Sequence, residues 1–266
     1  PSEATFSRKF ASHARQKLME KALGPLVSSY LDGRIVGHVS RDSTAIEARE
    51  KAVNKKKEVI PRGKPGRPRK GSESKTKKQN VLQKQLGQTA EQAVEELNSQ
   101  CSWGCKRNSQ GNRNYWKGYK LHLDVTDSGI PVSTIVTGAN VHDSQAAIPL
   151  ERMTGQRIKH LYSLMDSAYD AKPIKDFIIG NGRMPIIDPN KRRKQQRVLS
   201  PSEKQRFRIR STVERSNSHL KDWLIPPKIM VRGTEKVSHC LMTGVLCLAA
   251  IKILQYCILP GIQKTA

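Results

Sequence analysis

The sequence predicts an α/β protein in which a mixed β-sheet carries helices on its faces. Three observations predict it. Short β-rich runs alternate with helical stretches, in the order strand, hairpin, helix, strand, helix, strand, helix. One hairpin is legible from its alternation and its turn. Two of the strands end on aspartates, and open α/β sheets build their sites at the carboxyl ends of strands.

Taken in order, residues 1–30 read as a helical segment, with Phe6, Phe10 and Ala14 on one face and a break expected at Gly24-Pro25. Gly33 to Asp42 is a short β-rich run ending on an acid. Residues 49–78 carry thirteen Lys/Arg against three Asp/Glu, with Pro61, Pro65 and Pro68, a composition that buries no core and is expected to be flexible. Residues 81–98 regain a helical look. Tyr119, Leu121, Leu123 and Val125 alternate along a strand, Asp127-Ser128-Gly129 is a turn, and Ile130–Thr137 returns as its partner. A helix is expected near Asp143–Met153, a strand from Leu161 to Asp166, a helix at about 170–180 and a strand at Met184–Asp188. Ser200-Pro201-Ser202-Glu203 opens a helix running to about Trp223, and a last, apolar helix covers about 234–258. The expected organisation is an N-terminal helical segment (1–30), a main α/β domain (31–233) with a basic insert at about 47–113, and a C-terminal apolar helix (234–266) packed on it.

Charge narrows the partners. Lys and Arg total 48 against 23 Asp and Glu, a net charge of +25, and nucleic acid is the commonest anion that neutralises such a chain. Five cysteines, three of them in the apolar C-terminal stretch, suit a reducing cytosol rather than a disulfide scaffold. Cys101 and Cys105 have no second ligand pair at zinc spacing. The apolar stretch Cys240–Leu259 approaches the length of a membrane span, but Thr243, Lys252 and Gln255 interrupt it and a buried helix is expected. The chain opens at Pro1 rather than Met, so upstream sequence is expected.

Asp42 and Asp166, ending neighbouring strands, would bring two carboxylates together, a pairing that requires a proton or a hard cation such as Mg²⁺ or Mn²⁺. On the helix 202–223, at about 100° per residue, Phe207, Arg210, Glu214 and Lys221 share a stripe about 60° wide. An acid flanked there by Arg and Lys suits a metal–phosphate site, although an Arg–Glu pair on a solvated face has the same pattern. Gly66-Arg67-Pro68-Arg69 has the core of a minor-groove arginine hook without its leading Arg, so an unspecific phosphate-binding arm competes with a specific one. Arg67 and Arg69, and Lys191, Arg192 and Arg193 in the second basic run, are candidate DNA contacts. Asp143 reads as a turn or helix cap, and Trp223 as core.

The spacing Phe207-x2-Arg210-x3-Glu214-x6-Lys221 resembles the Tyr-Arg-Glu-Lys signature of insertion-sequence-four-type DDE transposases, with Phe in place of Tyr. Tyr115–Leu123 through Gly138–Ser144, Leu164–Asp170 and Pro1–Ser7 resemble further blocks of that family in the same order. The resemblance implies a ribonuclease H-like fold and a catalytic, metal-binding triad of Asp42, Asp166 and Glu214 holding Mg²⁺ or Mn²⁺, two ions in all. It implies double-stranded DNA as substrate, at element ends and target, with Arg210 and Lys221 on the phosphates. It also implies a homodimer on DNA, no membrane, and a cytoplasmic, nucleoid-associated protein of a prokaryote. A nuclease on the same fold and an inactive, transposase-derived DNA-binding protein remain as alternatives.

Overall fold

The computed structural model describes residues 1–53, 80–107, 110–189 and 198–259. Helix α1 (Glu3–Arg15) starts at Ser2, whose hydroxyl accepts from the Thr5 N–H. Helix α2 (Leu18–Leu31) follows after Lys17, which takes a left-handed φ of 52°. The break thus falls at Lys17 and not at Gly24-Pro25; Pro25 lies inside α2. The buried face Leu23, Val27 and Leu31 packs into the main core and outweighs one lost hydrogen bond.

Strand β1 (Ile35–Ala48) runs six residues past Asp42, so the β-rich run does not end on that acid. Its continuation is set by pairing: Ser43–Glu47 bond antiparallel to a later strand. The expected helix over 81–98 splits at Gly87 into α3 (Val81–Leu86) and α4 (Ala90–Glu95), the latter opened by a Thr89/Gln92 capping box. Strand β2 (Ser102–Arg107) follows, then β3 (Arg113–Thr126) and β4 (Pro131–Gly138), the last two forming the predicted hairpin. Part of the stretch read as a basic insert is therefore two helices and a strand. A 3₁₀ turn (Asp143–Ala146) leads into α5 (Ala147–Arg157), then come β5 (Lys159–Met165), α6 (Lys172–Gly180) and β6 (Met184–Ile187). Helix α7 (Pro201–Phe207), a 3₁₀ turn (Arg208–Arg210), α8 (Ser211–His219) and a π turn (Leu220–Leu224) make up the predicted signature helix. The short β7 (Lys228–Ile229) precedes α9 (Thr234–Ile253), which a π turn extends to Ile258.

Among the described residues the seven strands form one mixed sheet, β2-β3-β1-β5-β6, with β4 also on β3 and β7 also on β1. Side chains alternate faces along β1. Val125, Leu123, Leu121 and Tyr119 share their face with Ser40, Asp42, Thr44 and Ile46, under α2, α8 and α9. The other face lies under α3 to α6, with Met165, Ile174, Ile178 and Ile187 in its core. This mixed sheet flanked by helices is what the element order predicts, and it is consistent with the ribonuclease H-like fold that the resemblance implies. Helix α9 with its extension is long and apolar enough to cross a membrane, but half of its most apolar window is buried. Val237, Leu241, Val245 and Leu248 belong to the main core, which makes it a core helix. All five cysteines are free thiols.

Candidate functional site

The site begins with strand register. β5 pairs parallel with β1 from Ile35↔Lys159 to Ser40↔Leu164, and β7 pairs with β1 only at Glu47 and Ala48. Between them, residues 41–46 of β1 have no strand on that edge. The constant offset of the β1–β5 ladder puts Asp42 level with Asp166, the residue after β5. Neighbouring strands are about 4.8 Å apart, so the two acids stand side by side at the opening. Asp42 reaches this place although it lies in mid-strand, because its neighbour β5 is the strand that ends.

Arg41, one residue earlier, points to the opposite face and is fully buried. Its Nε and Nη2 donate to Asp124 Oδ1 and Oδ2 at 2.7 and 2.6 Å, Nη2 to Glu151 Oε2 at 3.0 Å and Nη1 to the Ala147 carbonyl at 2.9 Å. Glu151 also meets His160 Nε2 and Arg183 Nη1, each at 3.1 Å. Burial pushes Glu151 up, but the His160 hydrogen bond and the charges of Arg41, His160 and Arg183 outweigh it and hold the carboxyl at about 2. This network ties β1, β3 and α5 together beneath Asp42.

Helix α8 closes the site from above. Asn217 Nδ2 donates to Asp42 Oδ2 at 3.2 Å. Arg210 Nη1 donates to Glu214 Oε1 at 2.6 Å, and its Nη2 lies 3.8 Å from Asp42 Oδ1. One guanidinium therefore stands between two of the three acids, as a cation where carboxylates converge. The Phe207 ring lies 5.9 Å from that guanidinium, so the ring of the signature's first residue supports Arg210. Lys221, exposed at its end of the site, is lowered by partial desolvation and then by the charge of Lys106, while Asp42 raises it.

The electrostatics match the crowding. Burial raises Asp42 and the Asp166 charge adds to it, against Arg210, the Ser43 amide and Lys106; the outcome is about 6. Asp166, which caps the following turn by accepting from the Ala168 N–H at 3.0 Å, is also raised by burial and by the charge of Asp143. Two neighbouring carboxylates that resist ionisation are hard oxygen donors suited to a divalent cation. Among the described residues, no three His, Cys, Asp or Glu side chains already stand close enough to hold one. Asp42 and Asp166 fit the role as they stand. Glu214 is held by Arg210 at 2.6 Å.

The structure thus places Asp166 level with Asp42, puts Arg210 between Asp42 and Glu214, and leaves Lys221 exposed but near enough for the Asp42 charge to act on it. Arg67, Arg69, Lys191, Arg192 and Arg193 lie outside the described residues. Asn217 was missed, although it sits three residues after Glu214 on the same helix face. Asp143 is not the cap: His142 Nδ1 accepts from the Ser144 N–H, while Asp143 pairs with Lys120 at 2.8 Å. Trp223 is not core but 81% exposed, since the π turn carries it away from the sheet.

The family described as "Transposase DDE domain" matches residues 42–249. No curated protein and no solved structure matches the chain.

Proposed function

The chain belongs to the transposase DDE-domain family, and from that premise we propose that it cuts DNA at the ends of an insertion sequence of the four type and joins the freed 3′ ends to target DNA. Membership alone makes it a DNA-acting enzyme of the nuclease and transposase kind. Asp42, Asp166 and Glu214 are the proposed catalytic acids, and one observation carries the assignment: Asp42 and Asp166 stand level at a gap in the sheet edge, and Arg210, in the turn before α8, reaches from Glu214 to Asp42.

Two ions of the Mg²⁺ or Mn²⁺ kind, held by these carboxylates, would supply Lewis acidity for the attacking water and the leaving 3′ oxygen. The chain's own residues do the rest. Arg210 neutralises Glu214 and Asp42 until a phosphodiester arrives, and the guanidinium then grips the phosphate, which it can also bind bidentately, in place of Glu214. Lys221 holds a neighbouring phosphate. Asn217 fixes the rotamer of Asp42. Arg41 binds Glu151, which in turn bonds His160 and Ser163 of β5, so this buried chain holds β1 against β5 and Asp42 level with Asp166. The transfer of both element ends requires two active sites, so the working form is a homodimer on DNA.

Glu214→Gln is the direct test. It keeps the helix and shortens no side chain, so duplex binding stays within about twofold while metal-dependent cleavage falls by at least about 10³-fold. Equal loss of binding and cleavage would reject the catalytic role.

A further inference from the structure

Where β1 passes the acids it is paired along one edge only. β3 holds that edge from Val39 to Glu47 without a break. The Asp127 N–H donates to the His38 carbonyl at 3.1 Å, so His38 and every second residue after it aim their backbone groups at β3. Val39, Arg41, Ser43 and Ala45 therefore aim theirs at the opposite edge. The Arg49 N–H, on the same parity, bonds the Ile229 carbonyl of β7 at 2.9 Å. On this edge β5 reaches only Ser40, and β7 starts only at Glu47. The stretch between them presents two amides to the opening. The Ser43 N–H donates to the Asp42 carboxylate. The Ala45 N–H has no acceptor among the described residues, and Ala45 is only partly buried. It lies two residues, about 7 Å, farther along the same edge. The segment stays extended with no strand beside it, because β3 holds its whole length and the Ser43 side chain bonds Asp143, itself held by Lys120 at 2.8 Å. Cations bound the opening. Arg210 stands over Asp42, and the exposed Lys228 begins β7 at the far end, opposite Glu47.

We propose that the Ala45 N–H is a phosphate-binding group of the active site, and that it takes the DNA phosphate next to the one at Asp42 and Asp166. An amide on an open strand edge is a fixed donor in want of an acceptor, and a phosphate oxygen gives it a charge-assisted bond. Its place beside the acids follows from the strand itself, since Asp42 and Ala45 are three residues apart on one extended segment. A second polypeptide strand fits this edge poorly. The end of β5 and the start of β7 leave only residues 41–46 between them, little more than the length of a short strand, and the cations at both ends suit an anion. A contact of this kind reads no base, so it sets the register of the DNA backbone without selecting a sequence. The inference rests on the reading that DNA crosses the sheet edge at these acids, and it adds a main-chain contact to that site.

The test is amide hydrogen exchange on the full chain in EDTA, so that nothing is cut. Without DNA the Ala45 amide should exchange quickly, while those of Thr44 and Ile46, bonded to β3, stay protected. A blunt DNA duplex should slow the Ala45 amide at least about tenfold, and raising the protein concentration without DNA should leave it unchanged. Replacing Ala45 by lactic acid puts an ester oxygen where the N–H was. That variant should bind the duplex about tenfold more weakly with an unchanged melting temperature. Ala45→Pro, tolerated at an edge whose N–H bonds nothing, should behave alike, and Ala45→Ser, which keeps the N–H, should bind as the wild type does. An Ala45 amide that DNA leaves unprotected would overturn the proposal. So would protection that grows with protein concentration alone, which means a second copy on the edge, or a loss in Ala45→Ser equal to that of the ester. If Glu214→Gln leaves cleavage intact while these results hold, the phosphate contact stands and the catalytic assignment of Glu214 does not.

Discussion

Asp42→Asn is expected to stabilise the protein in alkaline solution and to do nothing for it in acid. The carboxyl titrates near 3.8 in an unfolded chain and at about 6 in the folded one, because burial and Asp166 outweigh Arg210. The folded state therefore binds the extra proton between those values, and stability falls as pH rises through that window. A shift of about 2 units at 1.36 kcal/mol each makes the full penalty about 3 kcal/mol above pH 6. Asparagine has nearly the same shape and no charge, so it escapes the penalty. Urea denaturation in EDTA should show Asp42→Asn more stable by about 2–3 kcal/mol at pH 8, with the difference vanishing near pH 3. Millimolar Mn²⁺ should then stabilise the wild type more than the variant, since it binds the form carrying the charge. A variant less stable than wild type at pH 8, or a difference independent of pH, would refute the argument that burial, with Asp166 beside it, holds the Asp42 carboxyl up.

Further perturbations test the supports of the site. Arg41→Met strands Asp124 and Glu151 without their buried cation, so chemical denaturation should report a loss of about 3–5 kcal/mol. Gly118→Ala forces a side chain into a positive-φ position against the Ile46 carbonyl; thermal unfolding should show a cost of at least about 2 kcal/mol. Arg210→Ala removes the cation standing between Asp42 and Glu214, so Mn²⁺ binding without DNA, followed by electron paramagnetic resonance, should tighten severalfold while cleavage falls.

The legible parts of the fold were those decided locally. The hairpin Tyr119–Thr137 shows its alternation and its Asp-Ser-Gly turn, and β5 ends beside an acid because it is a short parallel strand. Helical phase puts Glu214 and Arg210 on one face, and the resemblance of their spacing to the family signature is what marks them as site candidates rather than a solvated pair. Asp42 was found on a wrong premise: the strand does not stop there, and what places the acid at an opening is the length of β5, a tertiary fact. Pro25 was read as a breaker, yet burial of Leu23 and Val27 carries α2 through it. Strand β2 hid in a basic stretch because its inward-facing positions are Ser102 and Gly104, which carry no apolar signal. Arg41 looked like any exposed cation beside Asp42; its role depends on Asp124 and Glu151, which are 83 and 110 residues away in sequence. Trp223 looked like core because composition does not show that a helix will unwind into a π turn.

The central claim is that Asp42, Asp166 and Glu214 become one cation site when DNA replaces Glu214 on Arg210. The most direct measurement is a crystal structure with an element-end duplex and Mn²⁺, read by anomalous scattering. The account predicts a manganese peak with oxygens of Asp42 and Asp166 about 2.0–2.3 Å away, Glu214 turned toward it, and Arg210 on a phosphate. A peak elsewhere, or Arg210 still paired with Glu214 while DNA lies across the sheet edge, would contradict it.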